Sequence, residues 1–172
     1  PNMPSLHTAI VYPGMVLTEA LNLSEGRGTT IPFELFGAPW IDSKRLHKNL
    51  LTRKIQGCNF RIHGYIPTFH KYSGQNCNGI QIHVTDIKNF RPVGTAIEIF
   101  EAILETTGKG EFIFLDPPYE YEETMIPFDI LSGDSQMRKT LLEGGSLEIE
   151  KERWRDETDK FRSEFRKLAI YS

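Results

Sequence analysis

The 172 residues, 39% hydrophobic and 25% charged, suffice for one domain with a core of its own. A formal net charge of −3, from 20 basic and 23 acidic side chains, argues against a dedicated nucleic-acid binder, which carries a basic excess on one face. No apolar run approaches the roughly 18 residues that a membrane-crossing helix requires, so no span is expected in this segment.

The chain opens Pro1-Asn2-Met3-Pro4 in well-patterned sequence, with no initiator methionine and no signal-peptide regions, and reads as a cut inside a longer protein. Ser5 can cap a short helix carrying Leu6, Ala9 and Ile10 at helical spacing. Pro13 suits the first turn of a second short helix reaching about Glu19. Asn22 to Thr30, with two glycines and several small polar residues, reads as a loop, and Ile31 to Gly37 as a strand. Asp42 or Ser43 can cap a helix to about Ile55, with Leu46, Leu50 and Leu51 on its apolar side and Gly57 as its stop. Lys44, Arg45, Lys48, Arg53 and Lys54 read as its solvated face.

Phe60 to Ile66 alternates, Phe60, Ile62 and Ile66 against Arg61, His63 and Tyr65. Ile80 to Thr85 does the same, with Ile80, Ile82 and Val84 opposite Gln81, His83 and Thr85. Between these strands, Pro67 to Gly79 is a long polar loop of the kind that carries function. Antiparallel pairing would set Cys58 and Cys77 at opposite ends of the hairpin, beyond disulfide reach, and leave free thiols; parallel pairing would reverse this.

A helix is predicted over Pro92 to Thr106, with Ala96, Ile99, Phe100 and Ile103 inward and Gly108 and Gly110 ending it. Phe112 to Leu115 reads as a short strand, and Asp116 to Pro127 as a Pro- and Tyr-rich loop. One helical turn follows at Phe128 to Leu131, then a helix from Ser135 stopped by Gly144-Gly145. A final helix starts at Ser146; its stripe of Trp154, Phe161, Phe165 and Leu168 reads as core rather than ligand platform. The irregular mixture predicts an α+β fold, a small mixed or antiparallel sheet with packed helices, in a single domain over 1–172.

Three groups could carry chemistry. In the loop Asn22-Leu23-Ser24-Glu25-Gly26-Arg27-Gly28-Thr29, glycines flanking Arg27 permit close backbone approach to a ligand. Its hydroxyl and amide groups suit sugar hydroxyls, and the guanidinium fork suits a carboxylate. The alternative is a structural Glu25–Arg27 ion pair fixing a tight loop. The second group is Thr68 to Gly74 with Arg61, His63, Tyr65, Gln81 and His83, which could line one polar cleft. Its histidines, His63, His70 and His83, lack the spacing of a helical metal site, and no metal is expected. The third, Asp116, Glu120, Glu122 and Glu123 with Tyr119 and Tyr121, reads as a solvated loop, though glycosidases do need two flanking carboxylates. There is no G-x-S-x-G elbow, P-loop or G-x-G-x-x-G fingerprint.

These same stretches carry a family resemblance. Pro1-Asn2-Met3-Pro4-Ser5-Leu6, Val11-Tyr12-Pro13-Gly14, Asn22 to Thr29 and Gly37-Ala38-Pro39-Trp40 resemble, in order, a bacterial family with exo-β-N-acetylmuramidase activity, formerly a domain of unknown function. Pro67-Thr68-Phe69-His70-Lys71-Tyr72, Cys77 to Asp86, Arg91-Pro92-Val93 and Asp129 to Gly133 continue the likeness over nearly the whole chain. The resemblance implies the C-terminal domain of a two-domain protein whose N-terminal Rossmann-like domain lies outside this sequence, with the active site in the cleft between the two. It implies removal of terminal non-reducing N-acetylmuramic acid from peptidoglycan fragments, no cofactor, and a periplasmic or secreted setting. It transfers substrate binding to Asn22, Ser24, Arg27, His70, Lys71, Tyr72, Gln81 and His83, and a catalytic role to Glu25, with the principal carboxylate in the other domain. His70 departs from the pattern, which more often has serine there. The competing readings are a non-catalytic carbohydrate- or cell-wall-binding module, and a structural domain whose polar loops satisfy one another.

Overall fold

A computed structural model describes residues 3–107, 110–144 and 148–170. The expected helix stops at Gly108 and Gly145 and the helix start at Ser146 lie outside those residues. The chain divides into two compact units, Pro1–Ser135 and Gln136–Ser172.

In the first unit the Ser5 hydroxyl accepts from Thr8 N at 3.0 Å and opens α1 (Leu6–Met15). The two short helices expected here are one: α1 runs through Pro13 and tightens into a 3-10 turn at Val16–Ala20. A single proline removes only one donor. Packing against α3 (Pro92–Thr107) holds the helix beyond it. That contact depends on Gly14, where an added Cβ would lie 2.0 Å from Pro92 O.

The sheet is antiparallel with strand order β1-β3-β2, from β1 (Leu35–Ala38), β2 (Cys58–Tyr65) and β3 (Cys77–Val84). β1 is shorter than the strand expected from Ile31, because Phe33 takes a φ of 65° and its amide turns back to Glu25 O at 2.6 Å. Cys58 pairs with Val84 and Cys77 with Tyr65, so the thiols stand seven rungs apart at opposite ends of the hairpin and are free. Ile80 and Ile82 of the central strand are buried, whereas Ile62 and Ile66 are exposed, because β2 is an edge strand.

Asp42 caps α2 (Ser43–Thr52), accepting from Lys44 N and Arg45 N. The helix stops three residues before Ile55, and left-handed backbone follows at Lys54 and Gly57. Arg53 is not part of a solvated face: it clamps α2 to α3 through Glu98, Glu101 and Glu105. Phe112 to Leu115 forms no strand, only a Leu21–Phe114 bridge beside the 3-10 turn. Phe100, Phe112, Phe114 and Phe128, the last from α4 (Pro127–Ser132), build an aromatic cluster with edge-to-face contacts.

The second unit comprises α5 (Gln136–Glu143) and α6 (Glu148–Leu168). Of the aromatic stripe of α6, Trp154 is half-buried and the other three side chains are exposed rather than core. Phe161, Phe165 and Leu168 are 66%, 56% and 80% exposed, and the two phenyl rings stack on each other at 6.1 Å.

Candidate active site

The loop at 22–30 and the loop at 67–76 close on each other beside the 3-10 turn, and Glu25 lies where they meet. Its carboxylate is fully buried. Lys71 Nζ stands 3.2 Å from Oε2. His70 Nδ1 and Arg27 Nε approach Oε1 at 2.9 Å and 3.5 Å, neither along a hydrogen-bonding direction, so Oε1 keeps its lone pairs unbonded. A buried carboxylate oxygen without a hydrogen bond is costly, and its charge is tolerated here because two cations face it.

Lys71 holds the turn and the loop together. Its ammonium also donates to Thr18 O, Glu19 O and Leu23 O at 2.8, 3.0 and 3.1 Å. Burial pulls its pKa down, and the Glu25 charge opposes that pull. Tyr72 Oη donates to Asn22 O at 2.7 Å and accepts from Trp40 Nε1 at 3.0 Å. The Asn22 side chain donates to Glu111 O and accepts from Ile113 N, extending the local pairing like a piece of strand. Ser24 pairs in both directions with Gly37, and its hydroxyl accepts from Gly26 N. Asn22, Ser24, Lys71 and Tyr72 thus spend their polar groups on shaping the loops.

Beside this cluster lies a cleft of about 460 Å³ lined by Glu19, Arg27, Phe69, His70, Lys71 and Tyr119, together with Leu115, while Glu25 itself stays buried behind it. His70, with its side chain 49% exposed, stands between Glu25 and the cleft. Arg27 pairs with Glu19 Oε1 and lies over the Phe33 ring at 5.1 Å. Burial works against the Arg27 charge, but the Glu19 hydrogen bond and the Glu19 and Glu25 charges outweigh it and raise its pKa. Tyr119 Oη donates to Glu19 Oε2 at 2.9 Å. Burial first, and then the Glu19 carboxylate, raise the Tyr119 pKa, so it stays a donor at neutral pH.

Glu25, Arg27, His70 and Lys71 therefore come together as one cluster. Gln81 and His83 lie on the sheet instead. Gln81 Oε1 accepts from Arg61 Nη2 at 2.6 Å, that guanidinium also reaches His63, and His83 is exposed opposite Asn59. The acidic loop turns on itself, Glu122 accepting from Thr124 and Met125, and sends only Tyr119 to the cleft. Glu19 was not singled out in the sequence. It lies in the 3-10 turn, and no local pattern in the sequence pairs it with Arg27. Among the described residues no group of three or more His, Cys, Asp or Glu is placed to hold a metal ion, and no helix is long and apolar enough to cross a membrane.

Residues 10–171 match the family described as "Exo-beta-N-acetylmuramidase NamZ, C-terminal". The chain is similar to the peptidoglycan beta-N-acetylmuramidase NamZ of Bacillus subtilis, 36% identical over 171 residues, which are 99% of this chain and 39% of that protein. Two crystal structures of DUF1343-family proteins from Bacteroides fragilis share its fold. One has a TM-score of 0.77 at 22% identity, over 96% of this chain and 42% of its own. The other has a TM-score of 0.63 at 21% identity, over 100% of this chain and 43% of its own. The chain thus spans about two fifths of the length of these relatives. It belongs to the exo-β-N-acetylmuramidase NamZ family and corresponds to its C-terminal part.

Proposed function

We propose that this chain forms one wall of the active site of a glycoside hydrolase that removes terminal non-reducing N-acetylmuramic acid from peptidoglycan fragments. The opposite wall comes from an N-terminal Rossmann-like domain, with which the cleft would be an interdomain one. The observation that carries the reading is the enclosed Glu25 carboxylate, unbonded at Oε1 and capped by a half-exposed histidine that lines a cleft with two cations.

The chemistry follows from that arrangement. His70 Nδ1 faces Glu25 Oε1 at 2.9 Å, so the other ring nitrogen is the one that would meet a sugar hydroxyl or the glycosidic oxygen. Glu19 lines the cleft, and Arg27 bridges it to Glu25, which lies buried behind His70; glycosidic chemistry would draw a further carboxylate from the other domain. Arg27 is already engaged by both, so a lactyl carboxylate would share the guanidinium rather than own it. The relative from Bacillus subtilis is described as acting on peptidoglycan, which supports the substrate. We place the activity in the periplasm or outside the cell, in cell-wall recycling, with no cofactor.

The test is hydrolysis of a chromogenic N-acetylmuramic acid β-glycoside by the full-length protein, its Glu25→Gln variant and this chain alone. Turnover by the full-length protein only, lost in the variant, is expected. No turnover by folded full-length protein on this or a natural disaccharide would favour a carbohydrate- or cell-wall-binding module. The four loop residues whose polar groups are already satisfied within the protein fit instead a structural domain whose polar loops satisfy one another.

A further inference from the structure

The long helix α6 carries a narrow apolar seam. Trp154, Thr158, Phe161, Phe165 and Leu168 follow one another at steps of four, three, four and three, the spacing of a coiled-coil seam. Trp154 is half-buried, and the other four are exposed. The Phe161 and Phe165 rings stack with 20° between their planes, so the pair forms one apolar plate.

The residues beside the seam are sorted by charge. Glu157 and Glu164 stand immediately before Thr158 and Phe165, on one flank. Arg155 and Arg162 stand immediately after Trp154 and Phe161, on the other flank. All four are exposed. Arg153 pairs with Glu157 along the helix and Asp159 with Arg162, but such exposed i,i+4 and i,i+3 pairs are weak and exchange readily. An acidic flank and a basic flank make the surface complementary to itself. Two copies lying parallel and in register set Glu157 of each against Arg162 of the other. Antiparallel helices would instead set glutamate against glutamate and arginine against arginine.

A lipid surface is a poorer match, because acidic and basic side chains balance along α6, whereas an anionic membrane selects a basic polar face. Aromatic side chains carry about 150–250 Å² each. The seam of two copies therefore reaches the low end of specific interfaces, about 1,000 Å² in total. That area suits a weak and reversible dimer.

We propose that α6 is a self-association surface, on which two copies of this protein lay their helices side by side, parallel and in register, through Trp154, Phe161, Phe165 and Leu168. The pairing is independent of the muramidase reading.

The test is sedimentation equilibrium of the full-length protein and its α6 variants. The wild type is expected to show a reversible monomer–dimer equilibrium in the micromolar range or weaker. Phe161→Glu should abolish the dimer. Glu157→Arg sets like charges together twice and should weaken it about tenfold, and adding Arg162→Glu should restore it. Unchanged far-UV circular dichroism in each variant separates lost pairing from a lost helix. Thr158→Cys, on the seam, should form an intermolecular disulfide with a mild oxidant, and Ser163→Cys, on the outer side, should not. A monomer at every concentration up to about 1 mM would overturn the proposal, the seam then being covered by the protein's own chain or by another partner. A dimer indifferent to Phe161→Glu would overturn it too. So would a double variant no better than Glu157→Arg, or Ser163→Cys cross-linking as readily as Thr158→Cys.

Discussion

Two clusters of charge in this molecule use the same residue types for different ends. Around Arg53, three carboxylates at Glu98, Glu101 and Glu105 lie along one face of α3 and satisfy one guanidinium, with Arg53 Nε also donating to Asn49 Oδ1 at 2.9 Å. Around Glu25 the carboxylate is buried, its neighbours come from the 3-10 turn and two loops, and one oxygen is left unbonded. The first cluster is a satisfied clamp at the surface. The second holds an unsatisfied group in place, which costs stability unless a ligand uses it.

The largest expected effect comes from cutting the support under Glu25. Lys71→Met takes a donor from three carbonyls, of which Thr18 O keeps the Leu21 amide, and removes the nearest cation from a buried carboxylate, so urea unfolding should show a loss of about 3–5 kcal/mol. Gly28→Ala forces a Cβ into the Thr68–Phe69 backbone at a left-handed φ, and should cost about 2–3 kcal/mol in the same experiment. Arg53→Ala breaks the other cluster and should cost about 1–2 kcal/mol, less at high salt. A cost equal to that of Lys71→Met would erase the distinction drawn between the two.

A further expected effect is one of pH. Burial pushes the Cys58 and Cys77 thiols up to about 11, the Cys58 thiol held back a little by Thr95. Raised folded-state values mean a contribution that is full below the ordinary value of 9.0 and lost as pH climbs toward 11. The urea midpoint should therefore fall across that window. The fall should be shallower in a Cys58→Ala, Cys77→Ala double variant.

The clamp and the site differ as well in how far the sequence discloses them. Alternation disclosed β2 and β3, and with them the separated thiols, because period two survives burial on either face. The glycine-flanked Arg27 and the Thr68–Tyr72 segment marked the two loops that do converge. Arg53 read as solvated because its partners lie 45 to 52 positions away on another helix, and no local pattern announces such a pair. Glu19 escaped for the same reason, and Tyr119, read as part of a solvated loop, was not linked to it, because a hundred residues separate the two until the fold joins them. On α6 the opposite failure occurs: a periodic aromatic stripe was legible, but period alone does not say whether a partner surface exists.

The most direct test of the difference is to measure turnover and unfolding together for Glu25→Gln and Glu105→Gln in the full-length protein. The account predicts that Glu25→Gln cuts hydrolysis of a muramic acid β-glycoside by at least about a hundredfold. It should shift unfolding by no more than about 2 kcal/mol, because Lys71 keeps its three carbonyl partners. Glu105→Gln should leave turnover at the wild-type level. Full activity in folded Glu25→Gln, or equal losses in the two variants, would contradict the claim that the buried carboxylate is held for the chemistry.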